Sequence, residues 1–280
     1  MLEQANSSEF GCAAGGSALV PLQPAVSGFW DVHAFGSVGS TNEVVKTALR
    51  RGVAEGFCAT ALEQTGGYGR QGRAWVSPVG GLYTSFALRP QVAPQALPTL
   101  SLVVSLAVAD ALEKVQSHRH ALIKWPNDVL CTEGKLAGIS LEALAGGVCV
   151  GVGINVYRPA EQQKVQGKYR SAYLMDGTAQ QALSSEQCSV MTQLVQQMLA
   201  AVEERYRLWC NQGFSAFIEE YSHRFAYRNK RATLALIDGT ETIEGIIRGV
   251  DGAGRLLVET TAGSLVPMSS GEVHVTSFES

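Results

Sequence analysis

The stretch from Thr65 to Trp75, TGGYGRQGRAW, combines four glycines with two arginines and no acidic residue. Glycine lets the backbone approach a ligand closely, and successive N–H groups in such a loop can bind an anion. Arg70 and Arg73 add forked donors that suit phosphate or carboxylate. On spacing alone, a mobile surface loop with two solvated arginines is equally compatible with the pattern. The stretch is neither a Walker A loop nor a Rossmann turn, because both glycine spacings are absent.

A second polar cluster lies in IKWPNDVLCTEGKLAGI, residues 123–139. A strand–loop–strand hairpin here would bring Lys124 and Lys135 to one end of a sheet. For Pro126-Asn127-Asp128 alone, an ordinary β-turn is the simpler interpretation, since these are turn-forming residues. Each lysine could equally be a solvated surface charge.

A third pattern is GVGIN, residues 151–155, in which glycines interrupt an otherwise buried strand. Such glycines indicate close approach of a ligand or of another backbone, and Asn155 offers a donor and an acceptor there. The chain has no GxSxG nucleophile motif and no HExxH zinc motif. We predict no metal site built from protein side chains, because the histidines closest in sequence, His118 and His120, flank Arg119 in a polar loop.

Composition narrows the function further. The 280 residues carry a net charge of −3, so no general basic field for nucleic acid is expected. The six cysteines are scattered without a CxxC pair, which favours reduced thiols in a cytoplasm over a zinc ribbon or a disulfide scaffold. No basic residue precedes Lys46, so a secretory signal is not predicted. The apolar stretch 97–112 is short and contains Asp110, which favours a buried helix over a membrane span.

The elements that position these motifs follow from hydrophobic periodicity. Strands are predicted at 30–35, 57–64, 82–88, 121–125, 129–131, 136–144 and 148–154, and helices at 40–52, 101–115, 187–209 and 213–224. The pattern favours an α+β fold, a mixed β-sheet with helices packed on one side. From Lys230 onward, about five short strands predict a small β-barrel. The predicted organisation is a loose tail at 1–27, a main domain at 28–228 with an irregular segment at 159–190, and a small domain at 229–280.

Taken together, the motifs resemble the series found in biotin–protein ligases. GSTNE (39–43), EQTGGYGRQGRAW (63–75), KWPNDV (124–129), KLAGI (135–139) and GVGIN (151–155) occur in the family's order. The C-terminal region resembles that family's SH3-like domain, so the resemblance covers about residues 30–277. It implies a catalytic domain similar to class II aminoacyl-tRNA synthetases.

The resemblance implies a two-step reaction. The carboxylate of biotin attacks the α-phosphate of ATP, which gives biotinyl-5′-adenylate and pyrophosphate. A lysine of a biotin carboxyl carrier protein domain then takes the biotinyl group, and AMP leaves. Mg²⁺ is implied as the counter-charge of ATP. The family also contains homodimers, and the sequence leaves that state open for this chain.

The resemblance also assigns residues. Biotin binding is implied for Ser40, Thr41, Asn42, Gln64, Gly67, Tyr68, Gly69, Arg70 and Lys135. Nucleotide binding is implied for Arg70, Arg73, Trp75, Lys124, Asn127 and Asn155. Catalytic roles are implied for Lys135, Arg70, Arg73 and Asp128, and Asp128 either orients the acceptor lysine or takes its proton.

One position departs from the family. The glycine loop of relatives reads Gly-Arg-Gly-Arg, whereas here Tyr68 stands in the second position. We expect Tyr68 to cover the ligand while Arg70 and Arg73 supply the charge. Some relatives repress transcription through an N-terminal DNA-binding domain, but residues 1–27 show no helix-turn-helix pattern, so no specific DNA binding is predicted.

Three other functions remain open from sequence. A lipoate or octanoate ligase or transferase shares the catalytic fold, and the acid that triggers pyrophosphate release would distinguish it. A biotin-binding relative without catalysis is compatible with Tyr68, although Lys124, Asp128 and Lys135 argue against it. An unrelated nucleotide-binding module does not account for the ordered motifs.

Overall fold

A computed structural model describes residues 19–161, 170–236, 242–269 and 273–278. Within these ranges the helices are α1 (Thr41–Arg50), α2 (Leu100–Val115), α3 (Ser185–Gln212) and α4 (Ile218–Arg224). The strands of the first part of the chain are β1 (Asp31–Val38), β2 (Phe57–Gln64), β3 (Gly81–Leu88), β4 (Leu122–Lys124), β5 (Asp128–Cys131), β6 (Gly134–Leu144), β7 (Gly147–Asn155), β8 (Arg158–Pro159) and β9 (Thr178–Ala179). The C-terminal part adds β10 (Arg231–Leu236), β11 (Thr242–Val250), β12 (Leu256–Thr260), β13 (Leu265–Met268) and β14 (Val273–Phe278).

The main sheet has the strand order β1-β2-β3-β7-β6-β5-β4. The β1–β2 pair is parallel and the remaining pairs are antiparallel, so the sheet is mixed as predicted. The predicted hairpin between β6 and β7 turns at Ala145 and Gly146, which have φ of 50° and 68°. Positive φ at both central residues suits the right-handed twist of the two strands.

Helices cover both faces of this sheet, so the prediction of helices on one side was wrong. The residues of β7 with even numbers, such as Val150 and Val152, are buried with α2 and α3. On the opposite face, Cys149 of β7 and Ala59 of β2 are buried with α1. The sequence pattern did not show this because α1 covers only part of its face, next to the motifs.

The helix α2 is the buried helix predicted from the apolar stretch. Together with the 3₁₀ turn before it, residues 94–115 are long and apolar enough to cross a membrane, but 67% of the most apolar window is buried inside the fold. The partners of α2 are α3 and the main sheet. Burial against protein is the usual state of such a core helix.

The described part of the predicted tail is not loose. Residues 19–27 have no regular secondary structure, yet Leu19 and Leu22 are buried in the core. The Leu19 carbonyl lies so close to Gly36 that no side chain would fit there. The remainder of the predicted tail, residues 1–18, lies outside the described residues.

The segment predicted as irregular at 159–190 ends earlier than expected. Ser184 caps α3, accepting a hydrogen bond from the Gln187 backbone while the Gln187 side chain accepts one from the Ser184 backbone. This capping box starts the helix at Ser185. Short β8 and β9 pair within the segment, and residues 162–169 lie outside the described residues.

The C-terminal strands form an antiparallel sheet in the order β13-β12-β11-β10-β14, as expected of the predicted small domain. Its β11–β12 turn contacts the main domain, where the Trp125 indole donates a hydrogen bond of 3.0 Å to the Gly254 carbonyl. Trp125 belongs to the KWPND motif, so the small domain supports the turn that carries the motif.

Candidate functional site

Glycines form the floor of the candidate ligand cavity, on the sheet face that α1 covers only in part. Gly153 on β7 pairs with Gly138 on β6, and the next pair on this face is Gly151 with Ser140. A Cβ on Gly153 would lie 2.7 Å from the Trp75 ring, and one on Gly151 would clash with the amide oxygen of Asn42. The glycines of the GVGIN motif therefore allow other side chains to lie directly on the sheet.

At one end of this floor, uncharged polar groups form a connected network. The Gln64 amide oxygen accepts hydrogen bonds from the Thr41 N–H (2.8 Å) and hydroxyl (3.1 Å). The Thr41 hydroxyl contacts that of Ser85, which donates to the Asn42 amide oxygen at 2.7 Å. Gln64 thereby satisfies a free N–H at the start of α1. The network fixes the orientation of the Asn42 amide.

One hydroxyl at this end is left over. Ser40 precedes α1 and is buried, and its Oγ has no hydrogen-bond partner among the described residues. An unsatisfied buried hydroxyl is costly, so such groups commonly mark the place of a ligand or a water. This end of the cavity suits an uncharged polar ligand group.

The other end of the floor is charged. Asp128, only 8% exposed, forms ion pairs with Lys135 Nζ at 2.6 Å and with Lys124 Nζ at 3.2 Å. Burial alone would raise the pKa of Asp128, but the two ammonium groups outweigh burial and hold this pKa below its ordinary value. The antiparallel strands β4, β5 and β6 thus bring both lysines to one place, as predicted.

The glycine loop crosses this cavity as a tight hairpin. Gly69 N–H donates to the Arg73 carbonyl at 2.8 Å, and Trp75 N–H donates to the Gly67 carbonyl at 3.0 Å. Gly67 is required, because a Cβ there would lie 2.7 Å from the Trp75 carbonyl oxygen and 2.8 Å from the Gln64 amide nitrogen. These hydrogen bonds across the turn favour the ligand-binding interpretation of the loop over a mobile surface loop.

Arg70 extends from the glycine loop to the charged end of the floor. Its guanidinium donates a hydrogen bond of 3.0 Å to the Asn127 amide oxygen, and the Asn127 amide in turn donates to the Ile139 carbonyl at 2.7 Å. Burial lowers the pKa of Arg70 and nearby Asp128 opposes this effect, but a guanidinium stays protonated in either case. Asn127 therefore fixes the position of the Arg70 guanidinium.

Trp75 lies flat on the glycine floor. The Nζ of Lys135 is 4.9 Å from the centre of its ring, within cation–π distance. The indole N–H is buried and unpaired in the described part of the chain. The Trp75 ring thus offers an aromatic surface for stacking, and its indole N–H can donate a hydrogen bond to a ligand.

Three predicted residues have other neighbours than expected. Arg73 is exposed and donates to the Gln71 side chain at 3.0 Å rather than joining the charged cluster. The hydroxyl of Tyr68 points to α1, where Glu43 accepts its hydrogen bond. The amide of Asn155 donates to the Lys135 carbonyl at 3.0 Å, so it supports the backbone of that lysine. The contacts of Tyr68 and Asn155 join segments that are distant in sequence, so these two side chains could not be oriented from sequence.

Sequence reasoning missed two residues of the uncharged end, Ser85 and Ser140. Both are buried hydroxyls on apolar strands, on the same face as Gly151. A buried serine within each of these largely apolar strands was the available signal. The pairing that brings them together could not be read from a single strand.

The arrangement has a clear chemical preference. The charged end holds the side chains of Arg70, Lys124 and Lys135 against the single carboxylate of Asp128, which leaves an excess of positive charge. Such a cluster stabilises negative charge that develops on a phosphate or carboxylate. Within the described ranges, no group of three or more His, Cys, Asp or Glu side chains is placed to hold a metal ion.

The pKa of Asp128 gives a testable pH dependence. Because the folded-state pKa is depressed, the ionised carboxylate stabilises the fold above its unfolded pKa, about 3.9, and this contribution is lost as pH falls further. Asp128→Asn is expected to lower the free energy of unfolding by about 3 kcal/mol at pH 7, because two ammonium groups lose their counter-charge. Urea unfolding of both proteins from pH 7 to pH 3 should show this difference shrinking below pH 4. A difference independent of pH would contradict the ion-pair account.

Comparison with known proteins agrees with this geometry. Residues 35–157 match the Biotin/lipoate A/B protein ligase family, and residues 231–275 match the Biotin protein ligase C terminal domain. The first match contains the whole cavity described above.

Two curated relatives align over most of their length. A biotin–[acetyl-CoA-carboxylase] ligase of Paracoccus denitrificans is 32% identical over 236 residues, which cover 81% of this chain and 93% of the relative. The bifunctional ligase/repressor BirA of Escherichia coli is 30% identical over 250 residues, covering 86% of this chain and 73% of that protein. Among solved structures, a biotin protein ligase from Aquifex aeolicus in complex with biotin and ATP has a TM-score of 0.69 at 27% identity, covering 88% of this chain and 98% of that chain.

Proposed function

This chain belongs to the biotin protein ligase family, and we propose that its cavity forms biotinyl-5′-adenylate from biotin and ATP and passes the biotinyl group to a lysine of a carrier protein. The protein is therefore an ATP-dependent ligase. The observation that carries the proposal is the division of one glycine floor into an uncharged polar end and a positively charged end. Biotin has the same division, with an uncharged ring system at one end and a carboxylate at the other.

The ring system of biotin is assigned to the uncharged end. Ser40 offers a free hydroxyl there, and Asn42 offers an amide whose orientation is fixed by Ser85. Thr41 and Gln64 are hydrogen-bonded to each other, so they shape this end as much as they contact the ligand. Gly67 and Gly69 allow the glycine loop to cross the ligand.

The carboxylate and the α-phosphate are assigned to the charged end. In the first step a carboxylate oxygen attacks the α-phosphorus, and the bond from that phosphorus to the pyrophosphate oxygen breaks. Negative charge is then spread over the phosphate oxygens, where Lys135 and Arg70 can stabilise it. Lys124 shares the carboxylate of Asp128 with Lys135, and Asn127 accepts a hydrogen bond from Arg70. These contacts hold the Lys135 and Arg70 side chains in place. Trp75 supplies the wall against which the adenylate packs.

In the second step a carrier lysine attacks the carbonyl carbon of the mixed anhydride. A new amide bond forms, AMP leaves, and the amine loses a proton to solvent. Asp128 orients groups rather than taking this proton, because its two carboxylate oxygens are already paired with lysine ammonium groups. The glycine loop limits the access of water to the adenylate before the carrier protein binds.

Mg²⁺ fits this site as an ion carried by ATP. The carboxylate of Asp128 is already occupied by two lysines, so the donor set favours coordination by phosphate oxygens and water. When bound, the ion would supply counter-charge for the phosphates. Asn155 and Lys135 are the protein groups that would contact the phosphates of the ATP–Mg²⁺ complex.

Several broader roles are part of the proposal. The partner is the biotin carboxyl carrier domain of a carboxylase, in line with the name of the Paracoccus relative. The free thiols of five cysteines in the described ranges suit the cytoplasm, where we place the protein.

We propose no specific DNA binding, given the net charge of −3, and leave a homodimer open. A gel shift with a biotin operator that gave a discrete tight complex would overturn the DNA part.

The first step can be tested by the acid that releases pyrophosphate. The protein is incubated with ATP, Mg²⁺ and either biotin or lipoate, and pyrophosphate is measured over time. We expect release with biotin and only background release with lipoate. Release with lipoate alone would assign the protein to the sister activity, and release with neither acid would leave a binding protein without catalysis.

A further inference from the structure

Tyr68, the residue that departs from the family pattern, is held by a charged cluster on α1 and β6. Its hydroxyl donates to Glu43 Oε1 at 2.6 Å and accepts from Lys46 Nζ at 2.8 Å. Lys46 also pairs with Glu43 at 2.7 Å and with Glu142 Oε2 at 3.0 Å. We call these four residues the polar clamp.

The polar clamp is more than a set of surface charges. The Lys46 side chain is only 13% exposed, and its ammonium group has three hydrogen-bonding or ion-pairing partners in the clamp. It also lies 5.2 Å from the centre of the Tyr68 ring. A hydroxyl can donate and accept at once, which a charged side chain at this position could not do. Tyr68 therefore fits between an acid and a base.

The position of the polar clamp gives it a role in the site. Lys46 lies one helical turn after Asn42 on α1, and Glu142 follows Ser140 on the same face of β6. The clamp thus lies beyond the uncharged end of the floor. Two residues after Tyr68, Arg70 reaches Asn127 at the charged end. The glycine loop is therefore fastened on both sides of the cavity.

We propose that Glu43, Lys46 and Glu142 are positioning residues that act through Tyr68 to hold the loop across the cavity before ligand binds, so that Arg70 is in place and the adenylate stays enclosed. The first part of this inference concerns the unliganded protein, and the second rests on the proposed function. A loop already ordered by the protein loses less entropy when a ligand is enclosed.

The test uses two variants that each remove one contact of the polar clamp. Tyr68→Phe removes the hydroxyl and keeps the ring, and Lys46→Met removes the charge and keeps the length. Amide hydrogen exchange of residues 67–75 is measured in the unliganded protein, where Gly69 and Trp75 donate hydrogen bonds within the loop. We expect each variant to exchange roughly tenfold faster, because hydrogen bonds with charged partners are lost. The double variant should exchange no faster than the faster single variant, since both break one network.

The second readout is the rate at which labelled biotinyl-5′-adenylate leaves the preloaded protein. Tyr68→Phe and Lys46→Met are each expected to speed release roughly tenfold, and Lys46→Arg should restore most of the retention. Tyr173→Phe and Lys114→Met are matched controls outside the clamp and should behave as wild type.

The two readouts separate the possible failures. Wild-type exchange in both clamp variants would overturn the proposal. Faster exchange with unchanged adenylate release would show that the clamp orders the loop but does not retain the ligand, and would overturn the positioning role. If the wild-type protein formed no adenylate, the proposed function would fail, while hydrogen exchange would still decide whether the clamp orders the loop.

Discussion

Replacing Lys135 with methionine is expected to lower biotin-dependent pyrophosphate release by about 10²- to 10³-fold, the usual cost of removing one group aimed at developing charge. Lys135 Nζ is fixed by Asp128 on one side and lies against the Trp75 ring on the other. Methionine has a similar length but cannot offer positive charge to the α-phosphate. The measurement is the rate of pyrophosphate release at saturating biotin and ATP.

Loss of folding must be separated from loss of catalysis in this variant. Lys135→Met leaves buried Asp128 with one counter-charge fewer, which itself costs stability. Asp128 keeps Lys124 as its partner in this variant, so the protein should stay folded, and urea unfolding of Lys135→Met measures the lost stability separately from the rate. Lys114→Met, at an exposed position on α2, is the matched control and should keep wild-type activity. A rate for Lys135→Met within threefold of wild type would remove Lys135 from the chemistry.

Placing a valine at Gly153 is expected to weaken biotin binding by about 10- to 100-fold, the equivalent of overpacking a filled site. A Cβ at this position would lie 2.7 Å from the Trp75 ring, so the indole must leave the floor. The variant tests whether Trp75 must lie directly on the backbone of β7 for biotin to bind. Biotin affinity is measured by titration calorimetry without ATP.

The chain provides a matched control for the Gly153 variant. Gly28 also lacks a positive φ, and a Cβ there would have nothing within 4 Å. Gly28→Val should therefore leave the affinity for biotin within about twofold, since it creates no clash. Equal affinities for the wild type and the Gly153→Val variant would show that the ligand does not depend on this floor.

The sequence was a good guide wherever local pattern and structure coincide. The strand at 57–64 was predicted with its observed bounds, and the buried helix at 101–115 differs from α2 by one residue. The meander of β4, β5 and β6 brings Lys124 and Lys135 to one carboxylate, because its turns and strand pairs are local features. Residues in such elements are oriented by the regular backbone that carries them.

The directions of the loop side chains were not predictable from the loop sequence. Tyr68 was expected to cover the ligand, and its hydroxyl is held by Glu43 and Lys46 on α1. Arg73 was expected at the phosphates and is instead exposed beside Gln71. The direction of a loop side chain depends on what the rest of the fold places nearby, and no periodicity in the loop records it.

The central claim is tested most directly by mass spectrometry of a biotin carboxyl carrier domain incubated with this protein, ATP, Mg²⁺ and biotin. The account predicts a biotin-sized mass increase on one lysine, absent without ATP and strongly reduced with the Lys135→Met variant. An unmodified carrier domain in the presence of biotin, with a mass increase only when lipoate is supplied, would contradict it.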